Sequence, residues 1–480
     1  MSDDATRPAP DALLGAIADY VLATDALTSD EAYATARLTT LDAIGCGLLA
    51  LTFPACAQFL GPLVPGIVVP YGARVPGTGY RLDPAEAALD IGAMNRWLDY
   101  NDTWLAAEWG HPSDNLAAIL ALADHVSQRR VAQGAAPILM RDVFTALIQA
   151  HEIQGVLAIE NAFNAVGLDH VLLVKLASAA VCTRLLGGDR DAIISATSNA
   201  WVDGGTLRAY RHAPNAGPRK SWAAGDASAR AVRLALLALR GEGAYPTALT
   251  APTWGWQDVF FHGLPLKLAR PFGSYVMEHI LFKVAYPAEF HAQTAVEAAL
   301  ALHPQVAGRV DEIASVRLTT QAAGQRIIDK RGPLANPADR DHCLQYIVAV
   351  TLLYGDLTGE SYSDATAADP RIDALRAKMT VVEEPRFSRD YLDPDLRSIA
   401  NGIEITFSDG STLGPIVVEY PLGHQRRRAE GLPLLRAKLR ANLATQLSPA
   451  QVEAIVALAD DPQRLDGMAT PEFVGYFLPE

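Results

Sequence analysis

The sequence predicts a mainly α fold, a large helical domain interrupted by a mixed α+β domain. Three observations carry this reading. Over the first two-thirds of the 480 residues, apolar side chains recur at helical spacings of three and four. After about Pro271 the texture changes to short runs of two-residue alternation bounded by turn signals. After Pro421 the helical spacing returns. The predicted helical domain therefore takes residues 1–271 and 421–480, and the inserted domain takes 272–420.

The elements run in order. PDALLGAIADYVLAT, DEAYATARLTTLDAIGCGLLA and DAIISATSNAWV carry the 3.6-residue period. DPAEAALDIGAMNRWLDY is the clearest helix. Asp83 suits the N-cap, Pro84 the first helical position and Glu86 the capping box, and Ala87, Ile91, Met94 and Leu98 form one apolar stripe. RAVRLALLALRGEG is a helix ended by Gly241. In the inserted domain, IASVRLTT and KMTVVEEP read as strands. GIEITFSDGSTLGPIVVEY reads as a hairpin around Asp409-Gly410. HAQTAVEAALALH and RIDALRAKM read as helices between them. LPLLRAKLRANLATQL and SPAQVEAIVALADD close the chain as helices.

Composition narrows the function. Half the residues are apolar and 20% are charged, which is globular and not disordered. The net charge of −14 argues against nucleic acid as a partner, because phosphate binding wants a basic face. The acidic start MSDDATRPAP lacks a signal-peptide pattern, and no apolar run approaches the ~18 residues of a membrane span. A cytoplasmic protein with no membrane partner is expected. Cys46, Cys56, Cys182 and Cys343 are scattered without a CxxC pair, so neither a metal nor an iron–sulfur cofactor is expected.

Three stretches carry chemistry. In LDYNDTWLAAEWGHPSDN, Asp99 and Thr103 share a face if the helix continues that far. His111 precedes Pro112 at a helix start, where Ser113 or Asp114 can cap and where anions are favoured. The same residues serve equally as capping and packing. In RHAPNAGPRKSWAAGDASARAV, Arg211, His212, Arg219 and Lys220 gather before a helix and could receive a carboxylate or phosphate, or form a solvated basic loop. In FKVAYPAEFHAQTAVEAA, Lys283, Glu289, His291 and Gln293 cluster around Pro287. His170, His342 and Tyr346 are weaker candidates, each compatible with a core position.

NRWLDYNDTWLAAEWGHPSDN, RKSWAAGDASARAVRLA and FKVAYPAEFHAQTAVEAA, in this order, resemble the MmgE/PrpD family, and within it the 2-methylcitrate dehydratases. The resemblance implies one all-helical domain built from both chain ends, an inserted α+β lid, a site between them and a homodimer. It implies a small tricarboxylate substrate, dehydrated without a cofactor. Asp99, Thr103, His111 and Lys220 match the family's catalytic positions. Lys283 matches a further basic position, and His170 falls near another site histidine. Arg219, Glu289, His291 and Tyr346 complete the expected substrate contacts. Some relatives carry a histidine where this chain has Glu289. Sister activities in the family are cis-aconitate decarboxylation and iminodisuccinate epimerisation. A catalytically silent carboxylate-binding protein is the reading from another class.

The expected reaction sets its own demands. A proton alpha to a carboxylate must be removed, the developing negative charge stabilised, and the departing hydroxide protonated. With no clustered cysteines, side chains must do this. His111 is expected as the main acid/base group, with Lys220 as charge stabiliser and proton partner. Which of them takes the carbon proton is left open by the sequence.

Overall fold

The computed structural model describes residues 7–212 and 214–480; the MSDDAT start lies outside them. The chain builds two hydrophobic cores. The larger is made by helices that include Asp30–Ala50, Pro84–Arg96, Leu116–Ala132, Met140–Glu160, Val171–Leu185 and Arg219–Ala238. Arg428–Leu443 and Pro449–Ala459 join it from the far end of the chain. Among the described residues, no helix is long and apolar enough to cross a membrane.

Local chemistry sets the helix ends. The Asp83 carboxylate accepts from the backbone N–H of Ala85 at 3.0 Å and of Glu86 at 3.3 Å, with Pro84 behind it. Ser448 and Gln451 form a reciprocal capping box. Gly241, at φ +90°, ends the chain's run out of Arg219–Ala238. The central helices bury every face. Leu116 to Ala123 are all buried, which is why that run reads as apolar all round.

The smaller core packs Gln293–Val306 and Leu344–Tyr354 against a sheet ordered Met379–Glu383, Ile313–Thr320, Asn401–Phe407, Thr412–Val418. The Ile313 strand pairs parallel with the Met379 strand, Leu318 opposite Val381, and antiparallel with the Asn401 strand, Leu318 opposite Ile403. A register shift between Ile313 and Ser315 lets Ile313, Val316 and Leu318 all face the helices despite the odd spacing. Gly410 takes φ +83° in the hairpin turn.

Two expectations need correction. Val276, Met277, Ile280, Phe282 and Val284 pack into the larger core, so the change of core falls between Val284 and Ala288 and not at Pro271. The helix begun at Pro84 stops at Arg96, and Asp99 takes a left-handed φ of +51°. Asp99 and Thr103 therefore do not share a helical face. Aspartate tolerates this conformation better than most side chains, and Arg96 holds the turned-back carboxylate at 2.5 Å.

One helix crossing brings distant parts of the chain together. The Pro84–Arg96 and Arg219–Ala238 helices touch backbone to backbone at Gly92 and Gly225. A Cβ on Gly225 would lie 2.3 Å from the Leu89 carbonyl oxygen, and one on Gly92 would lie 2.5 Å from the Gly225 Cα. Glycine at both positions brings the Arg96 end of one helix beside the Lys220 end of the other.

Candidate active site

A small cavity lies where the two cores meet. Arg96, Asp99, Thr103, His111, His170, Arg208 and Arg211 reach it from the helical side, and Glu289, Phe290 and His342 from the insertion.

The segment after Arg96 supplies the densest wall. Thr103 exchanges backbone hydrogen bonds with Leu281, at 2.8 and 3.0 Å, tying this wall to the chain that carries Lys283. Trp104–Leu105 pairs with Trp109–Gly110 as a small hairpin that delivers His111. The cap expected from Ser113 or Asp114 comes instead from Asp102. Its Oδ1 accepts from the Ser113 N–H at 3.0 Å, and its Oδ2 meets His151 Nε2 at 3.0 Å. Being buried, Asp102 can hold the turn from inside.

Asp99 is the hub. Its Oδ1 lies 2.5 Å from Arg96 Nη1, 2.7 Å from Lys283 Nζ and 3.4 Å from His111 Nε2. Burial alone would raise its pKa. The Arg96 and Lys283 cations outweigh that and hold it well below the usual carboxylate range.

The His111 ring has a fixed tautomer. Its Nδ1 lies 2.6 Å from the Asp102 carbonyl and 3.3 Å from Thr103 Oγ1. A carbonyl can only accept, so Nδ1 carries the hydrogen and Nε2 keeps its lone pair. Burial, reinforced by the Arg96 charge, lowers the His111 pKa well below the histidine norm despite Asp99. His111 is thus a neutral base.

Unfilled hydrogen-bonding capacity surrounds it. Both ring nitrogens of His170, Arg96 Nε and Arg208 Nη1 are buried without hydrogen-bond partners. Arg208 Nη1 comes only to 4.0 Å of Glu108 and 3.8 Å of Asp169. Burial lowers the His170 pKa well below normal although Asp169 opposes it. Arg211, by contrast, is spent on a close pair with Asp169.

Lys220 stands at the wall behind His342. Its Nζ is 2.5 Å from Asp341 Oδ2 and 3.0 Å from His342 Nδ1. Burial lowers the lysine pKa, with Asp341 opposing. Burial also works to raise the Asp341 pKa, and the lysine charge overcomes it and brings the carboxyl down to about 2. Asp99, Asp341 and His342 offer ligand atoms within 4.8 Å of one another, the one such grouping among the described residues. The Lys220 ammonium already lies against Asp341 and His342, and Lys283 and Arg96 already hold Asp99. This donor set suits an ammonium better than a metal ion.

The other expected contacts divide. Glu289 lines the cavity and turns its carboxylate onto the His291 backbone N–H and Nδ1, both at 2.8 Å. His291 is fully buried behind it, with Nε2 3.1 Å from the Tyr391 hydroxyl, and it positions rather than lines. Lys283 is likewise buried behind Asp99. Arg219 points away, paired with Asp226 at 3.1 Å and lying over the Trp222 ring. At the first turn of its helix it is set about 100° round from Lys220. Tyr346 sits in the smaller core and donates to the Ser361 carbonyl at 2.8 Å, so it is a packing residue there. Sequence reasoning missed Arg96, Arg208 and Asp341. Periodicity gave no signal for Arg96: it lies on the face of its helix opposite the Ala87, Ile91 and Met94 stripe, yet it is buried.

The comparisons with known proteins bear on this geometry. The MmgE/PrpD N-terminal domain profile matches residues 15–269, and the MmgE/PrpD C-terminal domain profile matches 286–461. The chain belongs to the MmgE/PrpD family. It is 59% identical to the 2-methylcitrate dehydratase of Cupriavidus necator and 57% identical to that of Salmonella typhimurium, in each case over 98% of both chains. It is 53% identical to the mitochondrial 2-methylcitrate dehydratase of Yarrowia lipolytica, over 100% of this chain and 92% of that protein. In MmgE/PrpD terms, the N-terminal domain supplies Arg96 through Lys220 and the C-terminal domain supplies Glu289, Asp341 and His342. Lys283 lies in the connection between them.

Proposed function

We propose that this chain is a 2-methylcitrate dehydratase, a hydro-lyase that forms 2-methyl-cis-aconitate and water in propionate catabolism. The supporting observation is a buried cavity in which a neutral histidine, its lone pair free, faces arginine and histidine nitrogens that lack partners. Such donors fit carboxylates, and such a base fits a carbon acid. The near full-length likeness to dehydratases from bacteria and fungi supports this substrate over the sister activities.

The proposed roles come from the geometry. His111 Nε2 takes the proton alpha to a carboxylate. Arg96 and Arg208 neutralise the charge that develops on that carboxylate. Lys220, set against Asp341 and His342, provides the proton with which the beta hydroxide leaves as water. Asp99, anchored by Lys283, steadies the His111 imidazolium once it forms. Thr103 fixes the ring, and His170 is left free to bond a substrate oxygen. No bound cofactor is needed for these steps, and the working unit is proposed to be a homodimer.

Absorbance of the new double bond, followed with 2-methylcitrate, citrate and cis-aconitate alongside CO2 release, tests the reading. Double-bond formation from 2-methylcitrate is expected, surviving thorough EDTA treatment. CO2 release from cis-aconitate without dehydration would assign the sister lyase activity instead. Binding without either reaction would leave a silent scaffold.

A further inference from the structure

A second, larger and more open cavity adjoins the inner one and shares Leu105 as a wall. It lies on the same seam. Arg270, Tyr275 and His279 border it from one side of the seam and Arg397 from the insertion, and Arg426 closes it from the returning chain. The described residues give none of these arginines a carboxylate partner. Arg270 lies over the Tyr275 ring at 3.7 Å. Arg426 donates to the Asp395 carbonyl at 2.9 Å. Arg397 donates to the Leu105 carbonyl at 2.7 Å and to the Tyr275 hydroxyl at 3.1 Å, and lies over Trp104. The one carboxylate on the wall is that of Asp395. Elsewhere among the described residues, about half of the exposed arginines have a carboxylate partner, as Arg386 has Glu419 at 2.7 Å.

Three such guanidiniums around one cavity make a local positive patch on a chain of net charge −14, which as a whole repels a polyanion. Its place is also particular. Arg397 grips the backbone of Leu105, the residue that separates the two cavities. A carboxylate arriving at Arg397 competes with that carbonyl for the same donor.

We propose that the outer cavity is a capture site for polycarboxylates, holding the incoming substrate on Arg270, Arg397 and Arg426 before it passes Leu105. The substrate class rests on the dehydratase reading; the anion site itself does not. Its contribution is to the rate of productive encounter. Binding there is left behind before the chemistry begins, so kcat should be unaffected.

The double variant R270Q/R426Q tests this, since neither side chain reaches the inner cavity. At low salt, kcat/KM for 2-methylcitrate should fall about tenfold with kcat unchanged, and its salt dependence should flatten. R270K/R426K keeps the charge and should stay within about twofold of the parent. Unchanged kcat/KM in the glutamine pair overturns the proposal. Equal losses in the lysine and glutamine pairs also overturn it, since that would mark packing of Arg270 on Tyr275 and of Arg426 on the Tyr420 ring, 5.0 Å away. A change of kcat on adding tricarballylate, present in the parent and absent in the glutamine pair, would assign the cavity to a separate effector and overturn capture. Tricarballylate, with three carboxylates and no hydroxyl to lose, also serves at equilibrium, independent of any reaction. Two molecules per parent chain and one per R270Q/R426Q chain are expected. One in both would sink the site even where the dehydratase reading stands, and the expected pair of results would keep it even where that reading falls.

Discussion

Two buried lysines, Lys438 and Lys220, are used in opposite ways. Lys438 Nζ meets the carbonyls of Tyr100 and Lys283 at 2.7 Å each and the Asp42 carboxylate at 2.8 Å, with the Tyr100 ring 3.7 Å away. Two of the ammonium's three donors go to the carbonyls, and the third side faces the Asp42 charge. Burial works to lower its pKa, yet Asp42 prevails and raises it. Lys220 has two partners, Asp341 and His342, and burial prevails over both. Both lysines would look alike in a catalogue of buried charges. What separates a structural lysine from a chemical one is the donor left over. His111 and His170 repeat the lesson, since each keeps ring capacity that the protein does not fill.

The comparison can be broken most severely at His111. H111Q keeps a polar side chain without a base near neutral pH. It should lower kcat by roughly 10²–10⁴-fold with a smaller change in KM, read from steady-state kinetics. A near-normal kcat would move the base to His170. Next in size is K438M, which strands the Asp42 carboxylate in the core. Unfolding by urea should show a loss of about 3–5 kcal/mol, much of it recovered in D42N/K438M. A stable K438M with lost activity would mean that Lys438 is chemical after all.

Lys220 sharpens the contrast through pH. Acidification protonates His111, so kcat/KM should fall on the acid side, below the ordinary histidine value because burial holds that pKa down. On the alkaline side activity should fall as Lys220 loses its proton, below the ordinary lysine value. K220R holds its proton throughout, so kcat should fall, and the activity that remains should lose the alkaline limb while keeping the acid one. An unchanged alkaline limb would take Lys220 out of the proton path. The smallest effect is expected from R219Q. Its side chain pairs with Asp226 outside the cavity, and an exposed pair contributes little, so KM should stay within about twofold. A large rise in KM would restore the sequence-based expectation.

Much of the fold was legible because its signals are local. The Asp83-Pro84 start, the Asp409-Gly410 turn and the return of helical spacing after Pro421 can each be read within a few residues. The phase break in the Ile313 strand was not, because it depends on a register shift against a partner about ninety residues away. The site was legible where residues are contiguous, as from Asp99 to His111. It failed where neighbours on one helix point apart: Arg219 and Lys220 are adjacent in sequence, but only Lys220 is buried, against Asp341 and His342. Asp341 could not be found from spacing, since it meets Lys220 across 121 residues.

The Gly92–Gly225 crossing has a consequence for how such a site can be altered. The separation between the Asp99 turn and Lys220 is a dimension of the scaffold, gauged by two missing methyl groups. A single methyl at Gly225 would act as a shim, prying the two helices apart and carrying Lys220 away from the Asp99 turn and His111 while every chemical group stays intact. Misalignment of that kind is costly for a reaction in which both partners must reach one substrate at once. The reach of Lys220 is therefore written several residues from the lysine, in a residue with no side chain at all.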